Sequence, residues 1–373
     1  MRSKLFCGII ATVILLSGCG STGSSTSIST QSSAEVSSKS AAESSSSVIS
    51  GEETSSENSA EEISDPEEIN SKTEENNNGS ASNTTPQDYS VEPVEKRSEI
   101  DAFDKQVSEK TLPSEHQSRI ENMKSLGITA RQLEVDGIHL YEARRDNAEP
   151  KPLLIYIHGG GDRKNFDYIA DIAENYDICA VSIDCAGSGD SQDGPLQAPA
   201  AWMETVHDID VLIEYYNTIP DVDTSNFGLI GYSMGANISE YYAVYGKYKP
   251  AALCLENGTA DATREGSAWD CFEKGENGKT PIWNENEMWE FTTATAPKNF
   301  PECFKDIPLY VCVGELDDCH NPNNVKDFID EIISLGNDKV VFRYCEGIGH
   351  ECPESWYQNE ERQFFELLCG KAQ

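Results

Sequence analysis

One short stretch restricts the folds open to this chain more than any other. Residues 227–236 read Phe-Gly-Leu-Ile-Gly-Tyr-Ser-Met-Gly-Ala, so a Gly-x-Ser-x-Gly motif directly follows an apolar run. Glycines on both sides of Ser233 let the backbone turn sharply from a strand into a helix, and the serine then projects at the tip of that turn. The motif therefore predicts a buried strand, a helix directly after it, and a free serine hydroxyl between the two.

The rest of residues 101–373 alternates in the same way between apolar runs and amphipathic stretches. Further strands are expected at 153–157, 178–183, 251–255, 309–313 and 340–344, and helices at 166–176, 200–216, 237–245, 325–335 and 356–368. Strands that are apolar throughout are typical of a parallel sheet with helices on both faces. An Asp-Gly pair at 136–137 indicates an antiparallel hairpin in front of them. The sequence thus predicts one α/β domain with a mostly parallel central sheet.

Residues 259–304 interrupt this alternation and are expected to form a lid. They show no clear period, and they contain large aromatic residues that include Trp269, Phe272, Trp283, Trp289, Phe291 and Phe300. Open α/β sheets bind their ligands at the carboxyl edge, where such an insertion would sit. Alternatively, the aromatic residues form a small core of the insertion itself, and the two interpretations are compatible.

A serine nucleophile needs a base within hydrogen-bond reach and a carboxylate behind that base. His350 is the expected base, because a glycine-containing loop at 345–350 follows the last apolar run. Asp317 is the expected acid, because it lies on the loop that leaves the preceding run. The order Ser233, Asp317, His350 is the one expected when a nucleophile turn heads an α/β sheet.

Four other residues near these motifs are either alternatives for the acid or residues without an expected catalytic role. Asp318 takes the acid role if the loop is offset by one residue, and Glu256, at the end of the run 251–255, is a more distant alternative. His320 either contacts substrate or lies at the surface. His207 lies within an expected helix and is assigned to helix packing.

The negative oxygen that forms after attack needs N–H donors already in place. Residues 158–161 read His-Gly-Gly-Gly at the end of an earlier strand, where bare backbone can approach a substrate closely. We expect the amide of Gly160, with Gly161 as the alternative, to act together with the amide of Met234.

Taken together, these motifs resemble the α/β-hydrolase superfamily over residues 125–370, close to the dienelactone-hydrolase and prolyl-oligopeptidase-like branches. Residues 184–191 are similar to the D-x-x-G-x-G-x-S loop that follows the fourth strand of that fold. The resemblance implies Ser233 as nucleophile, His350 as general base, Asp317 as acid and a lid at 259–304. It does not fix the substrate, because one fold serves many substrates.

The amino terminus indicates export. Residues 1–18 have two basic residues followed by an apolar run that is shorter than the ~20 residues of a permanent membrane helix, as in a cleaved signal peptide. The tetrapeptide Leu-Ser-Gly-Cys at 16–19 resembles the lipobox of bacterial lipoproteins. This resemblance implies a lipid anchor on Cys19 and a place on the bacterial cell surface; the alternative is a plain secretory signal in which Cys19 is incidental.

Residues 19–100 are expected to be a disordered linker between this anchor and the α/β domain. They are rich in Ser, Thr, Glu and Asn, and no aromatic residue occurs between Phe6 and Tyr89. Such a segment buries too little apolar surface to offset the entropy of ordering it.

Composition excludes several function classes. The formal net charge of -37, from 65 acidic and 28 basic residues, argues against nucleic-acid partners, because phosphate contacts need clustered cations. The chain has no Cys-x-x-Cys, no histidine pair at metal-ligand spacing, no P-loop and no dinucleotide fingerprint. The sequence therefore predicts neither a metal nor a cofactor.

The chain has 12 cysteines, of which Cys7 and Cys19 belong to the signal segment. Those inside apolar runs are expected to be buried thiols: Cys179, Cys254, Cys312 and Cys345. Those in the lid or in loops are better candidates for disulfides: Cys271, Cys303, Cys319 and Cys352.

Three functions follow in order of preference. The first is a surface-anchored serine hydrolase that cleaves carboxylic esters, on small molecules or on polysaccharides, through an acyl-enzyme. The second is a peptidase of the prolyl-oligopeptidase type, although residues 20–100 have no pattern of the β-propeller usual there. The third is a binding lipoprotein without catalysis.

Overall fold

A nine-stranded sheet runs through the part of the chain that the structure describes. The structure is a computed structural model, and it describes residues 89–191, 200–261, 263 and 285–371. The strands are β1 (Val107–Lys110), β2 (Ile128–Val135), β3 (Ile138–Arg145), β4 (Lys151–Ile157), β5 (Cys179–Ile183), β6 (Val222–Tyr232), β7 (Ala252–Glu256), β8 (Leu309–Gly314) and β9 (Val340–Cys345).

The order of the strands is β1-β2-β3-β5-β4-β6-β7-β8-β9. The pairs β1–β2, β2–β3 and β3–β5 are antiparallel. The other five pairs are parallel. This confirms the predicted mostly parallel sheet and the hairpin in front of it.

Helices cover both faces of the sheet, as predicted. They are α1 (Gln117–Ser125), α2 (Phe166–Asn175), α3 (Ala200–Tyr216), α4 (Met234–Tyr245), α5 (Glu285–Thr295), α6 (Pro322–Ser334) and α7 (Glu354–Leu368). The side chains of β4 point alternately to the two faces of the sheet and so contribute to two hydrophobic cores. Leu153, Ile155 and Ile157 pack with α3, α4 and α6, whereas Leu154 and Tyr156 pack with α1, α2 and α7.

Three described elements were not expected from the sequence pattern: β1, α1 and α5. All four side chains of β1 are exposed, so its pairing with β2 leaves no apolar signature in the sequence. Helix α1 buries only Ile120 and Met123. Strand β1 and helix α1 therefore form through tertiary contacts rather than from a strong local sequence pattern.

Within the stretch predicted as linker, residues 19–100, the chain already contacts the domain from Tyr89 onward. The Tyr89 side chain is buried. The N–H of Val94 donates to the carbonyl of Val244 at 3.0 Å, and the Lys96 ammonium donates to the carbonyl of Tyr242 at 3.1 Å. These contacts combine backbone groups with isolated side chains, so they leave no apolar pattern in the sequence. Residues 1–88, including the predicted signal peptide and Cys19, lie outside the described residues.

The described end of the predicted lid packs on α4. Met288 and Phe291 of α5 join the hydrophobic core, and the hydroxyl of Tyr245 donates to the carbonyl of Thr295 at 2.9 Å. Phe291 therefore packs in the main core of the domain rather than in a separate core of the insertion. Trp269, Phe272 and Trp283 lie outside the described residues. Of the helices in the described ranges, none is long and apolar enough to cross a membrane.

Two carboxyl groups are buried together between the sheet and α7. Trp356 donates its indole N–H to Glu256 at 2.7 Å, and the Tyr168 hydroxyl donates to Glu361 at 2.5 Å. Burial raises the pKa of Glu361 to about 7. Burial also raises the pKa of Glu256, and repulsion from Glu361 adds to this effect. The pair is therefore stable when at least one of the two carboxyls is protonated.

We predict that Glu361→Gln removes a pH-dependent loss of stability. Unfolding returns Glu361 towards its ordinary pKa of 4.5, so between about pH 4.5 and 7 the folded protein holds a proton that the unfolded chain has released. The free energy of unfolding therefore falls as the pH rises through this window. Urea unfolding should show that the free energy of unfolding falls between pH 5 and pH 8 by on the order of 1–3 kcal/mol more in wild type than in the variant. The exposed Glu354→Gln on the same helix is the control, and equal losses in all three proteins would contradict the prediction.

Candidate active site

Ser233 occupies a strained turn between β6 and α4. Its φ of 52° and ψ of -115° are unusual for a residue with a side chain, and such strain is typically held in place by the surrounding structure. The N–H of Ser233 donates to the carbonyl of Glu256 at 2.7 Å, which fixes the turn to β7. A Cβ at Gly235 would lie 2.0 Å from the carbonyl oxygen of Ile157, so only glycine lets α4 start this close to the end of β4.

His350 bridges Ser233 and Asp317. Its Nε2 lies 2.8 Å from Ser233 Oγ, and its Nδ1 lies 2.8 Å from Asp317 Oδ2. These partners assign the tautomer: Nδ1–H donates to the carboxylate, and Nε2 accepts from the serine hydroxyl. Ser233, His350 and Asp317 are called the triad below. In this arrangement the imidazole can take the hydroxyl proton as Ser233 attacks an electrophile.

Asp317 is placed to balance the positive charge that His350 would acquire. Its side chain is fully buried, and the N–H groups of Cys319 and His320 each donate to Oδ1 at 2.9 Å. Burial acts to raise the pKa of Asp317, but the hydrogen bonds from His350 and these backbone groups outweigh it and hold the pKa below its ordinary value. Asp317 is therefore ionised beside the ring of His350 at neutral pH.

The two loops that carry Asp317 and His350 are bonded directly to each other. The N–H of Leu316 donates to the carbonyl of Ile348 at 2.8 Å. A Cβ at Gly314 would lie 2.0 Å from the carbonyl oxygen of Gly349, so the loops could not approach this closely with any larger residue there. Their contact fixes the distance between acid and base.

Asn257 supports the same pair of loops, and the sequence analysis missed it. It follows β7 with a φ of 50°, which asparagine tolerates better than most residues. Its side-chain oxygen accepts from the N–H of Gly314 at 3.2 Å, and its carbonyl lies 2.8 Å from Nδ1 of His320. An Asn-Gly pair directly after a buried strand was the signal that could have indicated a turn with a special backbone conformation.

The expected oxyanion donors lie where strand and helix ends meet. Gly160 and Gly161 are exposed on the loop after β4, and Met234 is the first residue of α4. No described residue accepts a hydrogen bond from the N–H of Gly160 or Met234. The N–H groups of a first helical turn have no partner within the helix, so the amide of Met234 is free to donate.

His158 anchors the Gly160 loop instead of taking part in chemistry. Its Nε2 accepts from the N–H of Cys185 at 3.1 Å, and its Nδ1–H donates to the carbonyl of Gly159 at 2.7 Å. Burial lowers the pKa of His158, which keeps the ring neutral for both roles.

The loop at 184–191 holds the same region from the other side. Asp184 is fully buried, accepts from the N–H of Lys164 at 2.8 Å and pairs with the Lys164 ammonium. Asp190 pairs with that ammonium at 2.6 Å. These contacts tie the D-x-x-G-x-G-x-S loop to the segment that follows Gly161.

The structure does not bring the alternative residues to the base. Asp318 is exposed, and Glu256 is held by Trp356. His320 is 2% exposed, so it does not lie at the surface; its ring packs against the ring of His350 with centroids 5.2 Å apart. Burial, together with the charge of a protonated His350, lowers the pKa of His320 to about 4. His207 lies on α3 and stacks on Tyr89.

The expected disulfides are not formed by the described cysteines. Cys303, Cys319 and Cys352 carry free thiols, which corrects the sequence-based expectation, and Cys271 lies outside the described residues. Cys352 is buried and accepts from the amide of Asn257 at 3.4 Å, so it fills a space in the core rather than clamping loops. The four cysteines expected as buried thiols are buried and free: Cys179, Cys254, Cys312 and Cys345.

Comparison with known proteins gives one family match. A model of the prolyl oligopeptidase family matches residues 174–367, which is more than half of the chain and includes Ser233, Asp317 and His350. No curated protein matches the sequence.

Solved structures share the fold at low sequence identity. The acetyl xylan esterase from Paenibacillus sp. R4 is 14% identical with a TM-score of 0.54, and the match covers 76% of this chain and 98% of that one. Acetyl xylan esterase 1 from Thermoanaerobacterium sp. JW/SL YS485 is 17% identical with a TM-score of 0.51, over 71% and 89%. A puromycin-hydrolyzing peptidase from Mycobacterium tuberculosis is 16% identical with a TM-score of 0.55, over 65% of this chain and 40% of that one.

The geometry predicts that Asp317→Asn and Asp318→Asn differ sharply. An amide at 317 carries no charge and favours the wrong tautomer of His350, so Ser233 should react with a fluorophosphonate probe roughly 10³–10⁴-fold more slowly. Asp318→Asn is the same change on the neighbouring exposed residue and should stay within a few fold of wild type. Labelling rates measured by intact-protein mass spectrometry test this, and a reversed order of the two variants would move the acid to Asp318.

Proposed function

The chain belongs to the prolyl oligopeptidase family, within the α/β-hydrolase superfamily, and from that premise we propose that this serine hydrolase cleaves carboxylic esters through an acyl-enzyme on Ser233. One observation carries the proposal. His350 lies 2.8 Å from both Ser233 Oγ and Asp317 Oδ2, so the geometry aligns a nucleophile, a base and an orienting carboxylate.

The proposed reaction has two halves that use the same groups. Ser233 attacks the ester carbonyl carbon while its proton passes to Nε2 of His350, and Asp317 balances the imidazolium. The carbonyl oxygen becomes an oxyanion, which the amides of Met234 and Gly160 stabilise, with Gly161 as the alternative to Gly160. Collapse breaks the bond to the alkoxy group, which leaves with the proton from His350. A water molecule then gives its proton to His350 and attacks the acyl-enzyme, which releases the acid and restores Ser233.

Two considerations favour an ester over a peptide as the substrate. The chain matches nearly the whole length of two acetyl xylan esterases, but only 40% of the mycobacterial peptidase. An alkoxide is also a far better leaving group than the anion of an amine, so ester cleavage depends less on proton donation from His350. We propose short acyl esters on small molecules or on polysaccharides, acetyl esters above all, and the net charge of -37 disfavours strongly anionic substrates.

A peptidase remains the second candidate, because the family is named for its oligopeptidases. The same triad would form an acyl-enzyme from a peptide bond, provided that His350 protonates the departing amine. The two activities therefore differ in the substrate that the site admits, not in the residues that react.

The location is a separate proposal that rests on the amino-terminal sequence. The Leu-Ser-Gly-Cys tetrapeptide at 16–19 supports cleavage before Cys19, lipid attachment to its sulfur and display on the bacterial cell surface. The Ser- and Glu-rich segment that follows supports a tether that holds the catalytic domain away from the membrane.

We expect Ser233→Ala to remove turnover of p-nitrophenyl acetate, lowering kcat by roughly 10⁴–10⁶-fold, because no other group replaces the nucleophile. Ser225→Ala, an exposed serine on the same strand, is the control and should keep the wild-type rate. A panel of acetylated xylan, longer acyl esters and proline-containing peptides then ranks the substrates by kcat/KM. Faster cleavage of the peptides would replace the esterase by the peptidase. Undiminished turnover in Ser233→Ala would contradict the nucleophile, and wild-type rates no higher than the uncatalysed background on every substrate would leave a binding protein.

Cys19→Ser tests the anchor. Serine has no thiol to receive the lipid, so we expect the variant to lose incorporation of labelled fatty acid and either to leave the membrane fraction or to remain uncleaved. Cys7→Ser, in the same signal segment, should be lipidated normally. Membrane association and lipid incorporation that persist in Cys19→Ser would contradict the lipoprotein assignment.

A further inference from the structure

Three side chains with different donor atoms meet beside the triad base. The ligand atoms of Asp317, Cys319 and His350 all lie within 4.8 Å of one another. Asp317 is buried, whereas Cys319 carries a free, partly exposed thiol and the His350 side chain is 19% exposed. Within the described residues, no other cluster of this kind brings three such ligands together.

We propose that these three residues bind a divalent cation of the zinc class and that its binding switches the enzyme off. Sulfur, imidazole nitrogen and carboxylate oxygen are the three donor types that Zn²⁺ accepts, and three protein ligands with one open position form a common zinc arrangement. A tetrahedral zinc ion needs donor atoms roughly 3.3–3.8 Å apart. Two adjustments close the cluster around an ion: His350 Nδ1 and Asp317 Oδ2, now 2.8 Å apart, separate to this spacing, and the Cys319 thiol rotates about its Cα–Cβ bond.

Coordination and catalysis compete for the same ring. Both nitrogens of His350 are already used in the triad, Nδ1 by Asp317 and Nε2 by Ser233. A metal ion on either nitrogen therefore removes a hydrogen bond that the base needs. This part of the proposal rests on the proposed function, because inhibition presupposes that His350 is the base.

The proton balance of binding is simple. Cys319 binds as the thiolate and releases its proton to water, and coordination through Nδ1 of His350 would release the ring proton that now faces Asp317. No electron is transferred, so a chelator that removes the ion restores the resting triad. Inhibition is therefore expected to be reversible.

The surroundings favour a cation at this position. Asp318 is exposed next to Cys319, and the whole chain carries a net charge of -37. Negative potential raises the local concentration of cations. Sequence spacing did not indicate the site, because its ligands come from two loops that only the fold brings together.

Calorimetric titration with ZnCl₂ tests the site on the reduced, chelator-treated full chain. We expect Cys319→Ser to bind zinc at least about tenfold more weakly than wild type, because an alcohol is a poor zinc ligand. Cys319→Ala is included in case the serine introduced at position 319 still binds zinc. Cys303→Ser is the matched control, since it removes another partly exposed free thiol outside the cluster. Unchanged affinity in both Cys319 variants would overturn the proposal.

A second measurement separates this proposal from the proposed function. Ser233→Ala keeps all three ligands, so it should bind zinc with at least the wild-type affinity even though it turns over no ester. In active protein, zinc should inhibit ester hydrolysis. With each rate taken relative to the same protein without zinc, Cys319→Ser should need about tenfold more zinc than wild type for half-inhibition. Zinc binding at Cys319 in a protein without esterase activity would overturn only the function. Esterase activity with no inhibition by bound zinc would overturn only the switch.

Discussion

The parallel register of strands β6 to β9 is the constraint on which the candidate site depends. Tyr232 lies opposite Glu256, and Gly314 lies opposite Cys345, so neighbouring strands end at matching levels of one sheet edge. The loops that leave this edge carry the triad. A slip of one residue in the pairing would turn the side chains of a strand to the opposite face, which the two apolar cores do not permit. The hydrophobic packing of the sheet thus sets the position of polar groups that take no part in it.

Local strain is the second condition, and hydrogen bonds to the next strand hold it. Ser233 and Asn257 follow β6 and β7, and both have a positive φ that costs on the order of 1–3 kcal/mol each. The N–H of Ser233 donates to the backbone carbonyl of Glu256, and the N–H of Asn257 donates to the backbone carbonyl of Cys312 at 2.8 Å. Each bond extends the sheet by one step beyond the regular strand. The turn that exposes the serine and the turn that supports the acid loop are therefore built by the same device.

The sequence could predict those parts of the fold and of the site that are encoded by neighbouring residues. The turn around Ser233 depends on five consecutive residues, and the apolar runs of β4, β5, β7 and β8 are buried throughout, so motif and sheet were both predictable. Strand β1 has four exposed side chains, and the segment after Tyr89 is held by scattered backbone and side-chain contacts, so neither leaves an apolar pattern. The burial of His320 and Cys352 was equally hidden, because it depends on loops from different strands. The sequence places Asp317 and Asp318 on the same loop, and only the fold shows which of the two is buried.

The two histidines of the site differ in role because they differ in burial. The ring of His320 lies 5.2 Å from that of His350, centroid to centroid, and a positive charge at that distance would oppose protonation of the base by about 3 kcal/mol at an effective dielectric constant of about 20. Burial keeps the pKa of His320 near 4, so above that pH the ring is neutral and imposes no such cost. Asp317 accepts from the backbone N–H of His320, not from its ring, and therefore reserves its second oxygen for His350. Because His320 is neutral and donates to Asp317 only through its backbone, one carboxylate oxygen stays available to the ring of His350.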